Sequence, residues 1–153
     1  MVSVSLCMIV KNEEEVLARC LESAAGVAEE IVILDTGSTD RTREIAARFT
    51  DRIFDFPWRD DFAAARNASF SRATMDYCLW LDADDVLLEE DRAALLALKE
   101  TLDPAVAVVM APYHTGFDGE GRVTFSYYRE RLIRRDAGLR WEGAVHEAIA
   151  PAG

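Results

Sequence analysis

Asp82-Ala-Asp-Asp85 places three carboxylates within four residues, directly behind the apolar run Cys78-Leu-Trp-Leu81. Charges this close repel strongly unless a cation is shared among them. Hard divalent cations prefer oxygen ligands, and Mg2+ is commonly held by one or two carboxylates together with substrate phosphates. Their i, i+2 spacing off a strand end lets Asp82 and Asp84 point to one side while Asp85 caps the next turn. The plainer reading is a solvated loop whose acids cap a helix. Two further polar clusters, Lys11-Asn12-Glu13 and Asp35-Thr36-Gly37-Ser38, also follow apolar runs, and their company favours a site.

Those runs are strands in the making. Val2–Val10 is β-rich and almost continuously apolar, as in a strand buried on both faces, and Ile31–Leu34, Arg52–Phe56 and Tyr77–Leu81 read similarly. Between them lie helical patterns: from a cap at Asn12 to a stop at Gly26, over Asp40–Phe49 with Ser38 or Thr39 as cap, over Asp60–Ala73, and over Glu89–Leu102. Alternating β and α elements predict an α/β fold, a mostly parallel sheet with helices on both faces. In such sheets ligands bind beyond the carboxyl ends of the strands, where the three clusters lie.

After Pro104 the pattern changes. Ala105–Tyr113 and Val123–Tyr128 read as a hairpin around a glycine-rich turn, with further short strands at Arg131–Arg135 and Leu139–Trp141. One domain over 1–153 is expected, with a Rossmann-like half at 1–103 and a β-richer part at 104–153. The sequence ends at Pro151-Ala-Gly153 without an obvious terminal element, so truncation from a longer protein is expected.

Composition narrows the partners. Against 28 Asp+Glu the chain has 17 Lys+Arg, a net charge of −11. Affinity for nucleic acid comes mainly from a basic face that releases counterions, so no nucleic-acid partner is expected. Cys7, Cys20 and Cys78 lack metal-ligand spacing and read as buried free thiols of a reducing compartment. Met1–Val10 has no basic lead or cleavage site, and no apolar run approaches the roughly 18 residues of a membrane span. The expected location is cytoplasmic, extending to the inner face of the membrane. Dinucleotide-binding and P-loop glycine patterns are absent. Trp58, Trp80 and Trp141 lie among apolar residues; Trp141, beside Gly143, is the one expected to contact an acceptor.

Four motifs in order carry a resemblance: Ser5-Leu-Cys-Met-Ile-Val-Lys-Asn-Glu13, Glu30-Ile-Val-Ile-Leu-Asp-Thr-Gly-Ser-Thr-Asp-Arg-Thr42, Ala65-Arg-Asn67 and Leu81-Asp-Ala-Asp-Asp85. Together they resemble family 2 glycosyltransferases, in the Lys-Asn-Glu branch that includes bacterial envelope-sugar enzymes and forms with tetratricopeptide repeats. Arg131-Leu-Ile-Arg134 and Trp141-Glu-Gly-Ala-Val-His-Glu147 resemble that branch less distinctively. The resemblance implies a GT-A fold and transfer of a sugar from a nucleotide-diphosphate donor, foremost a UDP-hexose, with inversion and with Mg2+ or Mn2+. The acceptor would be a saccharide, a lipid-linked group or a peptide. Carried over by position, Val10, Asn12 and Glu13 would border the nucleoside and Asp35 would accept a hydrogen bond from the base. Arg66 would lie beside base or diphosphate. Asp82 would approach ribose or metal, and Asp84 would ligate the metal. His146 would be a late metal or diphosphate ligand and Glu147 the base that deprotonates the acceptor.

Two other readings stand beside this one. Asp82-Ala-Asp-Asp-Val86 also matches a haloacid-dehalogenase-like phosphohydrolase signature, with Asp82 as nucleophile and Asp84 as acid/base. That signature normally opens a domain, whereas here βα units precede it. The non-enzyme reading is a nucleotide-sugar-binding module without turnover.

Overall fold

Period-two alternation sorts the strand residues between two covered faces. In the computed structural model, β1 (Val4–Val10) lies between β2 (Glu30–Asp35) and β4 (Tyr77–Trp80), with β3 (Ile53–Asp55) outside β2. These four strands are parallel. β6 (Val123–Arg134) runs antiparallel to β4 and pairs with β5 (Val108–Phe117), giving the order β3-β2-β1-β4-β6-β5. β7 (Leu139–Glu142) and β8 (Ala148–Pro151) form a separate antiparallel pair. The helices are α1 (Leu17–Ser23), α2 (Thr42–Ala46), α3 (Phe62–Phe70) and α4 (Glu89–Thr101). The structure describes residues 1–58, 60–117, 123–142 and 148–151, by backbone alone at 111–117, 123–129 and 148–151.

One face of the sheet presents Val4, Leu6, Met8 and Val10 of β1 with Tyr77 and Leu79 of β4. Leu17, Cys20 and Leu21 of α1 and Leu95, Leu96 and Leu98 of α4 pack on that face. On the other, Cys7, Val32 and Cys78 meet Ala73, while Trp80 and Ile133 meet Ala63 of α3 and Trp141 of β7. Covering both faces is why β1 and β4 read as continuous apolar runs. Ala63, Ala65 and Ser69 are buried on α3, whose small side chains let it lie close to the sheet. Asp61 caps α3, accepting from the Ala64 N–H at 3.1 Å.

Several local expectations change. Asn12 does not cap α1; it takes a left-handed φ of 53°, and the helix begins only at Leu17. α2 is shorter than predicted, and Asp40 rather than Ser38 or Thr39 accepts from its first N–H, that of Thr42, at 2.9 Å. Arg131–Arg135 is no separate strand, because residues through Arg134 continue β6 alongside β4. A terminal element does exist: β8 pairs with β7. Trp141 is wholly buried, edge-on to Trp80 and Phe70, with no surface to offer an acceptor. Its local apolar context was the better guide than its glycine neighbour.

The amino-terminal edge of the sheet is tied by a buried lysine. Lys99 of α4, 4% exposed, donates to the Val27 carbonyl at 2.6 Å and pairs with Glu29. Glu29 in turn accepts from the Val4 N–H at 2.6 Å. Burial works to raise the Glu29 carboxyl, but the bonds from Lys99 and Val4 outweigh it and hold the group below the usual carboxylate range. Stability from a depressed carboxyl is present above its unfolded value, near pH 4.3, and is lost as pH falls through the lower folded value. Glu29→Gln is therefore expected to cost roughly 1–2 kcal/mol near neutral pH, with the gap to wild type closing in acid; urea denaturation across pH checks this. Trp141→Ala should cost about 3–5 kcal/mol and Trp141→Phe less, read from the same denaturation midpoints.

Candidate functional site

The chain leaves β1 toward β2 and β3 on one side and returns to β4 on the other, so strand order switches beside β1. A crevice at the carboxyl ends of the strands is expected there. Val10 ends β1 in register with Asp35, which ends β2. The segments that follow are stitched together. Thr36 N–H donates to the Val10 carbonyl at 3.0 Å, and Asn12 N–H to Ser38 Oγ at 2.9 Å. Asn12 Oδ1 accepts from the Thr39 N–H at 2.8 Å, and Glu13 N–H donates to Thr42 Oγ1 at 2.7 Å. The left-handed backbone at Asn12, tolerated by asparagine, aims its amide at this second loop.

Asp35 organises the loop from within. Only 2% exposed, it accepts at Oδ1 from Ser38 Oγ (2.7 Å), the Ser38 N–H (3.0 Å) and the Gly37 N–H (3.4 Å). Its Oδ2 accepts from Arg43 at 3.3 Å, and Arg43 also pairs with Asp55. The chain can turn this tightly because Gly37 takes φ 121°, open to glycine.

The acid turn follows β4. The Asp85 N–H donates to the Asp82 carbonyl at 2.9 Å, and Asp85 Oδ2 accepts from the Asp82 N–H at 2.9 Å. Asp85 thus folds back on the turn instead of capping what comes next. Asp82 pairs with Arg66 at 3.1 Å, and Asp85 with Arg131 at 3.4 Å. Both guanidinium carbons lie 4.1 Å from the centroid of the Trp80 indole ring, within cation–π range. Asp84 is exposed, and among the described residues no cation pairs with its carboxylate; Arg19 reaches only its carbonyl, at 3.4 Å.

Electrostatics joins the clusters. Burial first, then the charges of Asp84, Asp82 and Asp40, push the Glu13 carboxyl above its usual value. Burial raises Asp85 as well, with the Asp82 N–H and Arg131 pulling the other way. Cys20, which donates to the Asp82 carbonyl at 3.5 Å, is pushed up to about 12 by burial and by Asp85, Asp82 and Asp84, so it stays a thiol. This excess of negative potential is what a divalent cation would relieve. Among the described residues, no group of three His, Cys, Asp or Glu is arranged to hold a metal.

The structure thus brings Val10, Asn12, Glu13, Asp35, Arg66, Asp82 and Asp84 to one edge. His146 and Glu147 lie outside the described residues. Arg66 is buried against Trp80 and bonded to Asp82, while Asp61 serves as a cap and Asp60 accepts from Trp58 Nε1 at 2.9 Å. Asn67 exchanges two bonds with the backbone of Trp141, at 2.9 and 2.7 Å, and so holds β7 on α3. Sequence reading missed the supporting groups Asp40, Thr42, Arg43 and Arg131. The Ser-Thr-Asp run after β2 signalled a cap but not the partner loop it binds. Arg131 sits on a distant strand, and the resemblance of Arg131-Leu-Ile-Arg134 gave no sign of its partner Asp85.

Residues 5–152 match the model of glycosyl transferase family 2. Over 149 residues the chain is 39% identical to a TPR repeat-containing protein of Synechococcus elongatus, covering 97% of this chain and 36% of that protein. It is 34% identical over 158 residues to the lipopolysaccharide core biosynthesis glycosyltransferase LpsC of Rhizobium meliloti, covering 97% and 57%. Among solved structures, glucosyl-3-phosphoglycerate synthase of Mycobacterium tuberculosis in complex with UDP superposes with a TM-score of 0.60 at 20% identity, over 75% of this chain and 45% of that one. The fold is accordingly that of the GT-A glycosyltransferases, and the chain spans about a third to somewhat over half the length of these relatives. By its match over residues 5–152, the chain belongs to glycosyl transferase family 2.

Proposed function

We propose that this chain transfers a hexose from a UDP-hexose to a hydroxyl of a saccharide, lipid-linked or peptide acceptor, with inversion and with Mg2+ or Mn2+. The observation that carries the reading is the convergence of three strand-end clusters on the edge beside β1, with Asp84 exposed while Asp82 and Asp85 are held by arginines. LpsC, a relative by sequence, is named a glycosyltransferase of lipopolysaccharide core biosynthesis, and the synthase that shares the fold was solved with UDP. Membership of the family displaces the phosphohydrolase reading of Asp82.

In this reading residues 1–103 bind the donor and 104–153 face the acceptor within one domain. Val10, Asn12 and Glu13 border the nucleoside. Asp35 meets the base, its Oδ2 accepting from Arg43 and retaining capacity for another donor. Arg66 and Asp82 sit by the ribose and diphosphate, and Asp84 with His146 would hold the cation. When bound, the cation supplies charge neutralisation for the departing diphosphate. Glu147 takes the proton from the acceptor hydroxyl as its oxygen attacks the anomeric carbon. The bond from that carbon to the diphosphate oxygen breaks on the opposite face, which inverts the centre. The reaction side would be the cytoplasm or the inner face of the membrane; among the described residues no helix is long and apolar enough to cross it.

Calorimetric titration with UDP, GDP, CDP and ADP, each with and without Mn2+, tests the donor site. The expected result is binding of UDP that requires Mn2+; no binding of any nucleotide would overturn it. Asp84→Ala should weaken Mn2+-dependent UDP binding by at least about tenfold with the fold intact, and unchanged affinity would remove Asp84 from the metal's ligands. Glu147→Gln should keep donor binding while lowering transfer by about 10²–10⁴-fold. Normal turnover by that variant would place the base elsewhere. Wild-type chain that binds UDP but turns over no acceptor would be a binding module.

A further inference from the structure

The carboxylates of the acid turn are treated unequally by their surroundings. Asp85 has only 16% of its side chain exposed and exchanges two bonds with Asp82, one through its carboxylate and one through its own N–H. A carboxylate folded back beside two other acids would be driven outward by repulsion unless something held it. Arg131 does so. It reaches across from β6, whose Leu132 pairs with Leu79 of β4, and is itself 8% exposed. Its Nη1 donates to the Trp80 carbonyl at 3.1 Å and to Asp85 Oδ2 at 3.4 Å, and its Cζ lies over the Trp80 ring. A planar guanidinium can stack and donate at once, which a lysine cannot.

We propose that Arg131 is a positioning residue for donor binding: through Asp85 it braces the turn that presents Asp82 and Asp84. Arg66 braces the same turn from α3, on the same indole, but acts on Asp82 directly. Trp80 is therefore the shared platform, and the antiparallel strand β6 contributes to the site through Arg131. This rests on the donor-site reading above. Partners that orient metal-binding groups without ligating are commonly worth 10–100-fold in metal affinity.

The test uses the full chain, with Arg131→Met, Asp85→Asn and the double variant. Backbone amide exchange at Asp82, followed by NMR without any ligand, should accelerate at least about tenfold in each single variant, with the amides of β1 unchanged. Calorimetry with UDP should show the Mn2+-dependent gain in affinity falling about 10–100-fold, with metal-free UDP affinity unchanged. The double variant should be no worse than the weaker single one, since both remove one brace. Arg131→Lys should rescue only part. A merely structural role would instead lower the thermal midpoint and both affinities together. Asp85→Asn conserves volume and decides the matter if Arg131→Met fails to fold. Unchanged Asp82 exchange, or faster exchange with an unchanged Mn2+-dependent gain, would overturn the brace. Wild-type chain showing no Mn2+-dependent UDP binding would instead overturn the donor-site reading.

Discussion

Like charges crowded on one edge of a parallel sheet are what the rest of this molecule has to accommodate. Asp35, Asp82, Asp84, Asp85 and Glu13 gather where β1, β2 and β4 end, and burial, followed by the charges of Asp84, Asp82 and Asp40, raises the Glu13 carboxyl. The fold answers with cations placed from a distance: Arg43 from α2 on Asp35, Arg66 from α3 on Asp82, Arg131 from β6 on Asp85. Among the described residues, Asp84 and Glu13 are left out of this neutralisation. The fold thus holds most of the charge in place and leaves the exposed Asp84 with its attraction for a cation unspent.

How the arginines reach that edge depends on packing. Trp80 points to the face covered by α3, where Ala63 and the buried Trp141 complete its surroundings. Arg66 and Arg131 lie against the same indole, so an apolar side chain fixes the direction of two charges. Asn67, next to Arg66 on α3, holds the backbone of β7. A single short helix therefore links the acid turn to the second sheet, and the small side chains on its buried face are what let it sit close enough.

Much of this was legible in the sequence. The α/β order, the parallel strands and the three strand-end clusters follow from apolar runs punctuated by Asn, Gly, Ser and Asp, because local periodicity and turn chemistry act over a few residues. The family emerged from the same motifs. What stayed hidden acts between distant segments. Nothing local marks Asn12 as the partner of Thr39, or Asp85 as a residue that turns backward to Asp82. Trp141 misled for the reverse reason: a nearby glycine suggested exposure, while its real neighbours, Phe70 and Trp80, lie far away in the chain. Arg131–Arg135 looked separate because strand β6 outlasts the apolar pattern expected of it.

The stitching between the loops after β1 and β2 has a thermodynamic consequence. Asn12, Glu13, Ser38, Thr39 and Thr42 are bonded to one another across the gap before any ligand arrives. Loops that must be ordered by a ligand subtract that entropy from its affinity. Here hydrogen bonds within the folded chain already tie the two loops together, so a small molecule seated on this floor has less ordering to supply.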